Sequence, residues 1–294
     1  MTRKKLFITG ASGFLGWYLC KAAQLDWDVY GAVNRNAIDC PGIAALPIDL
    51  TDRDALRDSI QNLRPDAVIH AAALSRPNDC QMNPDESFAV NVRASLNLAE
   101  YCGALEIPCA FISTDQVFDG SNPPYAETAP VAPVNLYGEH KVMAEEGMSA
   151  RNPKTIVCRM PLMFGVSPHA QIFLQSFVST LQAGQPLKLF TDEVRTPVSG
   201  QTAAQGILLA LREGPSCLHL GGTERISRYN FGKMLAKILN CSEQLLQACQ
   251  QADIRMAAPR PADVSLDSSL AFKLGYSPSS VEAELRQIFS TSTT

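Results

Sequence analysis

The sequence predicts an α/β protein with a Rossmann-type, doubly wound parallel sheet and a smaller C-terminal α/β lobe. Two observations lead to this fold class. Short β-branched runs alternate with longer helical patterns through the first half of the chain, and a glycine-rich loop follows the first of these runs. Strand–helix–strand units at this spacing form parallel sheets that helices cover on both faces.

The pattern changes after residue 160, where prolines separate amphipathic stretches at 171–184 and 227–240. We predict strands at 5–10, 27–33, 66–72, 108–114 and 154–160, and helices near 14–25, 52–62, 84–105 and 136–150. Residues 1–160 are predicted to form a dinucleotide-binding domain with a returning segment near 196–213, and residues 161–195 and 214–294 a substrate-binding lobe.

Composition excludes several classes of protein. A net charge of −4 argues against a protein held on nucleic acid by bulk charge, and no apolar run reaches the ~20 residues that span a bilayer. The nine cysteines form no CxxC pair, which is typical of reduced thiols in a cytosol. We therefore predict a cytoplasmic protein without a nucleic-acid or membrane partner. The four isolated histidines, His70, His140, His169 and His219, predict no metal site.

The stretch "ITGASGFLGWYL" carries glycines at three-residue intervals between a predicted strand and a predicted helix. Glycine lets backbone N–H groups approach a pyrophosphate, and the helix N-terminus adds a favourable partial positive charge. A glycine triplet alone is also compatible with an ordinary turn, but this context favours dinucleotide binding. The candidate residues are Gly10, Ser12, Gly13, Phe14, Leu15 and Gly16.

Three further strand ends contribute to the predicted cofactor site. An NAD-specific site would place an acidic residue after the second strand, whereas this chain has Asn34 and Arg35, which suit a 2′-phosphate. Arg35 could instead be a solvated surface arginine. NADP(H) is therefore the favoured cofactor and NAD(H) the alternative. The remaining candidates are Asp49 and Leu50 near the adenine, and Ala71, Ala72 and Ala73 beside a ribose.

The stretch "YGEHK" places Tyr137 and Lys141 four residues apart, hence on one helix face. A neighbouring ammonium group is expected to lower the pKa of the phenol towards a range useful for acid–base catalysis. Taken alone, a Tyr-x-x-x-Lys pair is common and is better explained as a feature of an exposed helix surface. However, "FISTDQVFDG" ends a predicted strand with Ser113 and Thr114, and a hydroxyl there can bind a substrate carbonyl that also touches the tyrosine. A turn or a helix cap is the alternative explanation for this Ser-Thr-Asp sequence.

Together TGASGFLG, HAAA, STDQVFDG, YGEHK and RMPLMFG resemble an extended short-chain dehydrogenase/reductase, and FISTDQVFDG with PRPADVSLDSS is similar to the dTDP-4-dehydrorhamnose reductase branch. This resemblance implies that Thr114, Tyr137 and Lys141 are catalytic, with Tyr137 as the proton donor and Lys141 as a ligand of the nicotinamide ribose. It implies an NADP(H)-dependent reductase of a 4-keto nucleotide sugar. The residues themselves do not fix the oligomeric state, but a four-helix dimer contact through the helices at 84–105 and 136–150 is common in the family, so the resemblance is compatible with a homodimer.

The resemblance also implies the substrate-binding residues Gln116, Phe118, Arg195 and Arg260, with the two arginines against the substrate diphosphate. Either arginine could instead pair the two lobes. The chain departs from the rhamnose pattern at Gln116, where a tyrosine is expected, and at "SRPNDCQ". "SRP…NPDE" is similar to the regulatory β subunit of methionine adenosyltransferase, which implies a non-catalytic NADP-binding protein as the alternative function. A nucleotide-sugar 4-epimerase is a further alternative.

Overall fold

The computed structural model describes residues 3–168, 170 and 172–290. His169, one of the isolated histidines, and the outermost residues of the two predicted domains lie outside the described residues.

A seven-stranded parallel sheet occupies the centre of the protein, in the order β3-β2-β1-β4-β5-β6-β11. This is the doubly wound order in which the chain reverses direction across the sheet after β3, and it confirms the predicted fold class. The strands are Lys4–Thr9 (β1), Trp27–Val33 (β2), Ala44–Pro47 (β3), Ala67–His70 (β4), Cys109–Thr114 (β5), Thr155–Met160 (β6), Met163–Phe164 (β7), Leu187–Phe190 (β8), Val194–Arg195 (β9), Val198–Ser199 (β10), Cys217–His219 (β11), Ile226–Ser227 (β12) and Leu246–Cys249 (β13).

Helices cover both faces of the sheet. Side chains alternate along β1, so that Leu6 and Ile8 face one hydrophobic cluster and Phe7 faces the other. The first cluster includes α1 and α8, and the second includes α2, α5 and α6. The helices are Phe14–Ala23 (α1), Arg53–Leu63 (α2), Pro77–Met82 (α3), Pro84–Phe88 (α4), Ala94–Ala104 (α5), Leu136–Arg151 (α6), Phe173–Gln182 (α7), Gly200–Glu213 (α8), Arg228–Ile238 (α9), Ser269–Lys273 (α10) and Val281–Ser290 (α11).

The helix predicted over 84–105 is interrupted in the structure. Ala89–Arg93 form a π-helical turn between α4 and α5. Asn91 lies in this turn, and its side-chain amide bonds both the carbonyl oxygen and the N–H of Leu74, at 2.9 Å each. A π-bulge inserts one residue into a helix and re-aims its side chains. Here it directs Asn91 towards the loop that follows β4.

A third hydrophobic cluster is formed by α7, α9, α11 and the strands β8 and β13. Two other short pairs, β7 with β10 and β9 with β12, form separate two-stranded sheets. Strand β11 follows α8 and pairs with β6, so residues 217–219 belong to the central sheet although the predicted second lobe begins at 214. The division of the chain into lobes stays a prediction. Among the described residues, no helix is long and apolar enough to cross a membrane.

Candidate active site

A cavity of about 930 Å³ opens at the carboxyl ends of the central strands. Ligands bind outside these ends in open α/β sheets. All of the predicted cofactor residues lie on its wall: Gly10, Ser12, Gly13, Phe14, Leu15, Gly16, Asn34, Arg35, Asp49, Leu50, Ala71, Ala72, Ala73, Tyr137 and Lys141. The predicted catalytic residue Thr114 and the candidates Gln116, Arg195 and Arg260 lie there too.

The glycine loop is a turn that only glycine can form. Gly10 has φ +66°, and a Cβ atom there would lie 2.7 Å from backbone atoms of Ala72. At Gly16 a Cβ atom would lie 2.0 Å from the carbonyl oxygen of Gly10. The first turn of α1 has no side-chain cap, which leaves its N–H groups for a ligand. This cradle fits a pyrophosphate.

At the other end of the cofactor region, no acidic side chain follows β2. Val33 ends the strand, and Asn34, Arg35 and Asn36 follow it along the cavity wall. The Arg35 side chain is 85% exposed, and its Nη2 lies 3.9 Å from Glu86 across the cavity. Asp49 accepts two hydrogen bonds from Thr51, which lower the pKa of its carboxyl group. The guanidinium group that follows β2 is therefore largely exposed at this end of the cavity wall.

Gly138 brings the predicted catalytic residues together. Tyr137 and Lys141 lie on α6, which begins after Asn135, whose side chain accepts a hydrogen bond from the Gly138 N–H at 3.0 Å. A Cβ atom on Gly138 would lie 2.3 Å from the carbonyl oxygen of Gln116. Only glycine therefore allows the start of α6 to contact the turn after β5, where Thr114 lies.

The predicted catalytic side chains Tyr137 and Lys141 are almost completely buried. Tyr137 is 7% exposed, and burial raises its pKa, with Cys80 and Asp115 adding to this effect and a hydrogen bond to Thr114 opposing it. Lys141 is 2% exposed, and burial lowers its pKa to about 7. We expected the ammonium group to lower the pKa of the phenol, but the groups that shift this pKa do not include Lys141, and burial raises it. Tyr137 is therefore protonated at neutral pH and suited to donate a proton.

Lys141 is held by its surroundings. Its Nζ lies 4.0 Å from the centre of the Phe111 ring, within the range of a cation–π contact. One turn further along α6, Glu145 accepts a hydrogen bond from Ser113 at 2.5 Å and two from Arg159, at 3.1 Å and 2.7 Å. These buried bonds fix α6 to β5 and β6. They therefore fix the position of the lysine relative to Thr114.

The substrate end of the cavity differs from the prediction at one residue. Phe118 is fully buried and stacks on Tyr125 with ring centres 4.2 Å apart, away from the cavity wall. A 3-10 turn, Asp115–Val117, separates Phe118 from the end of β5 and turns its ring into a small hydrophobic cluster. Gln116 does line the cavity, and its side chain accepts a hydrogen bond from Asn135 at 3.2 Å.

Three charged residues on this wall were missed by the sequence analysis: Asp115, Glu193 and Arg228. Burial raises the pKa of the Asp115 carboxyl to about 6, against the opposing effect of Arg195. Asp115 follows the predicted Thr114 directly, so the motif already contained it. Glu193 and Arg228 carry no local signal, because only the fold brings them beside the cavity.

No metal site is evident. Within residues 3–168, 170 and 172–290, no group of three His, Cys, Asp or Glu side chains could hold a metal ion. His70 bonds Thr9 and Ser95, at 2.7 Å and 2.8 Å, and burial lowers its pKa to about 3. His140 and His219 are likewise buried and hydrogen-bonded.

The family model described as the RmlD substrate binding domain matches residues 4–293. The chain belongs to this family. RmlD-family membership confirms the predicted resemblance to dTDP-4-dehydrorhamnose reductases and places the chain among reductase-like nucleotide-sugar proteins.

Alignments with known relatives cover nearly the whole of this RmlD-family chain. It is 30% identical over 288 residues to the probable low-salt glycan biosynthesis reductase Agl14 of Haloferax volcanii, covering 95% of each protein. It is also 30% identical to methionine adenosyltransferase 2 subunit beta of Pongo abelii, covering 92% of this chain and 83% of that one.

The RmlD-family fold also matches solved structures. A dTDP-4-dehydrorhamnose reductase from Bacillus anthracis, crystallised with NADP, has a TM-score of 0.88 at 21% identity and covers 99% of this chain and 100% of that one. At this identity the likeness shows the fold alone. The NADP in that structure is consistent with the predicted cofactor preference.

Proposed function

We propose that this protein is an NADP(H)-dependent reductase of a 4-keto nucleotide sugar, similar to dTDP-4-dehydrorhamnose reductase. The observation that carries the proposal is one cavity with the glycine loop at one end and Thr114, Tyr137 and Lys141 further along its wall. Family membership and the similarity to a glycan-biosynthesis reductase support it. The identities of the sugar and of its nucleotide belong to the proposal and go beyond what family membership shows.

The glycine loop would hold the pyrophosphate of the cofactor, and Arg35 would face its 2′-phosphate. Lys141 would bind the nicotinamide ribose. When bound, the reduced nicotinamide supplies hydride to a carbonyl carbon. Side chains of this protein would carry out the remaining parts of the reaction.

The proposed chemistry of these side chains follows from their burial. Thr114 and Tyr137 present hydroxyl groups on the same wall, so both can donate hydrogen bonds to a carbonyl oxygen. Because burial keeps the Tyr137 phenol protonated, it transfers its proton to that oxygen as negative charge develops there. In its protonated form Lys141, whose pKa burial lowers to about 7, would stabilise the resulting phenolate.

The deciding experiment follows NADPH absorbance with dTDP-4-dehydro-6-deoxy-L-mannose, comparing the natural sequence with Tyr137→Phe. We expect substrate-dependent oxidation, reduced by about 100- to 10,000-fold in the variant because a positioned acid contributes that much. Tyr30→Phe is the matched control, since Tyr30 is half-buried in β2 and lies outside the cavity wall. Full activity in Tyr137→Phe would remove the tyrosine from the mechanism.

A regulatory role is the second candidate, and the similarity to methionine adenosyltransferase 2 subunit beta favours it. The segment "SRPNDCQMNPDE" carries this likeness, and in the structure it forms α3 and the start of α4 beside the cavity. This candidate predicts NADPH binding without oxidation by any keto-sugar. Co-elution with a methionine adenosyltransferase in size-exclusion chromatography would then support it.

A further inference from the structure

A chain of four buried charges runs along the substrate end of the cavity. Asp115 Oδ2 lies 3.5 Å from Arg195 Nε, Arg195 Nη2 lies 3.8 Å from Glu193, and Glu193 accepts a hydrogen bond from Arg228 Nε at 3.0 Å. The charges alternate in sign, so each inner member has an opposite charge on either side. Such buried charges are stable only when they are paired.

Arg195, an inner member, has its donors occupied by the protein. It is 4% exposed. Its Nη1 donates to the carbonyl oxygens of Val194 and Ala262, at 2.6 Å and 3.2 Å, and its Nη2 donates to that of Pro261 at 3.1 Å. With Nε facing Asp115, this guanidinium group links β9 to the segment around residue 262 and has little capacity left for a ligand.

Asp115 and Arg228, the two outer members of the charge chain, differ from Arg195 because each has one atom without a hydrogen-bond partner in the part of the protein that the structure describes. Among the described residues, the buried side-chain atoms without a hydrogen-bond partner are Asp115 Oδ2 and Arg228 Nη1, and both residues line the cavity. A buried polar group without a partner costs free energy comparable to a lost hydrogen bond. One acceptor and one donor, on cavity-lining residues at opposite ends of one charge chain, therefore have no hydrogen-bond partner within the described part of the protein.

The position of Arg228 is fixed before any ligand binds. It is the first residue of α9, after the helix cap Ser227, and its guanidinium group lies 4.4 Å from the centre of the Phe173 ring. The hydrogen bond from Arg228 Nε to Glu193 fixes the guanidinium plane, so Arg228 Nη1 has one orientation. A rigid, mostly desolvated guanidinium group binds a phosphate oxygen strongly, because little entropy is lost on binding.

The net charge of this wall also favours an anion. Three guanidinium groups, of Arg195, Arg228 and Arg260, stand beside two carboxyl groups, of Asp115 and Glu193. Arg260 is half-buried, and its side-chain hydrogen bond within the described part of the protein goes to a neutral amide, that of Asn78 at 3.4 Å. The excess positive charge therefore lies with Arg228 and Arg260.

We propose that Arg228, assisted by Arg260, binds the diphosphate of the substrate, and that Arg195 is a structural link that does not contact it. The identity of the anion as a nucleoside diphosphate rests on the proposed function. The assignment of the contact to Arg228 rests on the geometry of the charge chain.

The test measures dTDP binding to the NADPH-loaded protein by isothermal titration calorimetry, which requires no turnover. Arg228→Gln should weaken dTDP binding by about 10- to 100-fold, the loss expected for one charge-assisted hydrogen bond. Its Tm should fall, because Glu193 loses its hydrogen-bonded partner, so dTDP binding is measured well below that Tm. Arg286→Gln, a change of the same type on the exposed face of α11, should bind dTDP normally.

Arg195→Gln separates the two roles. It should lower the Tm, because three carbonyl oxygens lose their donor, while dTDP affinity measured well below that Tm should fall by less than threefold. Loss of dTDP binding in Arg195→Gln with normal binding in Arg228→Gln would overturn the proposal. Absence of dTDP binding by the natural sequence would overturn it as well.

The outcomes distinguish this inference from the proposed reductase. If dTDP binding depends on Arg228 while no keto-sugar oxidises NADPH, the reductase proposal fails and this inference stands. If the enzyme does turn over, Arg228→Gln should raise KM by a similar factor and leave kcat nearly unchanged, since the diphosphate is remote from the reacting carbon.

Discussion

The two ends of the cavity are built by different means. At the cofactor end, backbone atoms of consecutive residues form the wall, and glycine and alanine keep side chains out of the way. At the substrate end, charged side chains from four separate segments meet around residues 115, 193, 228 and 260. The first end depends on local sequence and the second on long-range packing. The predictions below test that difference, from the largest expected effect to the smallest.

The largest effect is expected from Gly16→Ala. Its Cβ atom would lie 2.0 Å from the Gly10 carbonyl oxygen, and backbone cannot shift cheaply. NADPH affinity should fall by about 100-fold or more, since overpacking costs about 1–3 kcal/mol or more. Gly147→Ala is the control, because Gly147 lies on α6 outside the cavity wall and its Cβ atom would meet mainly the flexible Leu96 side chain. Equal losses of NADPH affinity in both variants, measured by fluorescence titration, would contradict this explanation.

Gly138→Ala should separate the catalytic groups without disturbing the glycine loop. A Cβ atom 2.3 Å from the Gln116 carbonyl oxygen forces α6 away from the turn after β5. We expect kcat to fall by about 100-fold, as for a catalytic group displaced by about 1 Å, with NADPH affinity little changed. Gly147→Ala lies on the same helix, and its Cβ atom would meet mainly the flexible Leu96 side chain. Gly147→Ala should keep a normal kcat. Equal losses of kcat in the two variants, measured by steady-state kinetics, would contradict this explanation.

Asp115 should make stability depend on pH. Its pKa is raised from 3.8 to about 6, so between these values the folded state holds a proton that the unfolded state has released. Its contribution to stability is therefore fully lost once the pH has risen above about 6. Asp115→Asn lacks this titration and should gain about 2–3 kcal/mol relative to the natural sequence between about pH 4 and pH 7.

Urea unfolding of both proteins across that pH range measures the difference directly. Asp115→Asn also removes the ion-pair partner of Arg195. Any part of this loss of stability that is the same at every pH does not affect the pH dependence. A stability difference that does not change with pH would show that Asp115 is ionised throughout.

The smallest effect is expected from Arg35→Ala, because the side chain is 85% exposed and its interactions are screened by salt. NADPH affinity should fall by about tenfold at low ionic strength, while NADH affinity should not change. NADH serves as the internal control, since it lacks the 2′-phosphate. Equal losses for both cofactors would assign Arg35 to the adenine or the ribose instead.

The sequence by itself determined the parts of this protein whose interactions are local. The strand–helix alternation predicts the parallel sheet, the glycine spacing predicts the cradle, and Tyr137 and Lys141 share a helix face because they are four residues apart. Each of these depends on backbone geometry over a few residues. For that reason every predicted cofactor residue lies on the cavity wall.

The tertiary structure alone decided the rest. Phe118 is buried because a 3-10 turn rotates it onto Tyr125. Burial also raises the pKa of Tyr137, an effect that the four-residue spacing from Lys141 does not predict. The orientation of the Arg228 side chain depends on a hydrogen bond to Glu193, which is 35 residues away in the sequence. Desolvation and ion pairing depend on which segments pack together, and no spacing in the sequence encodes that packing.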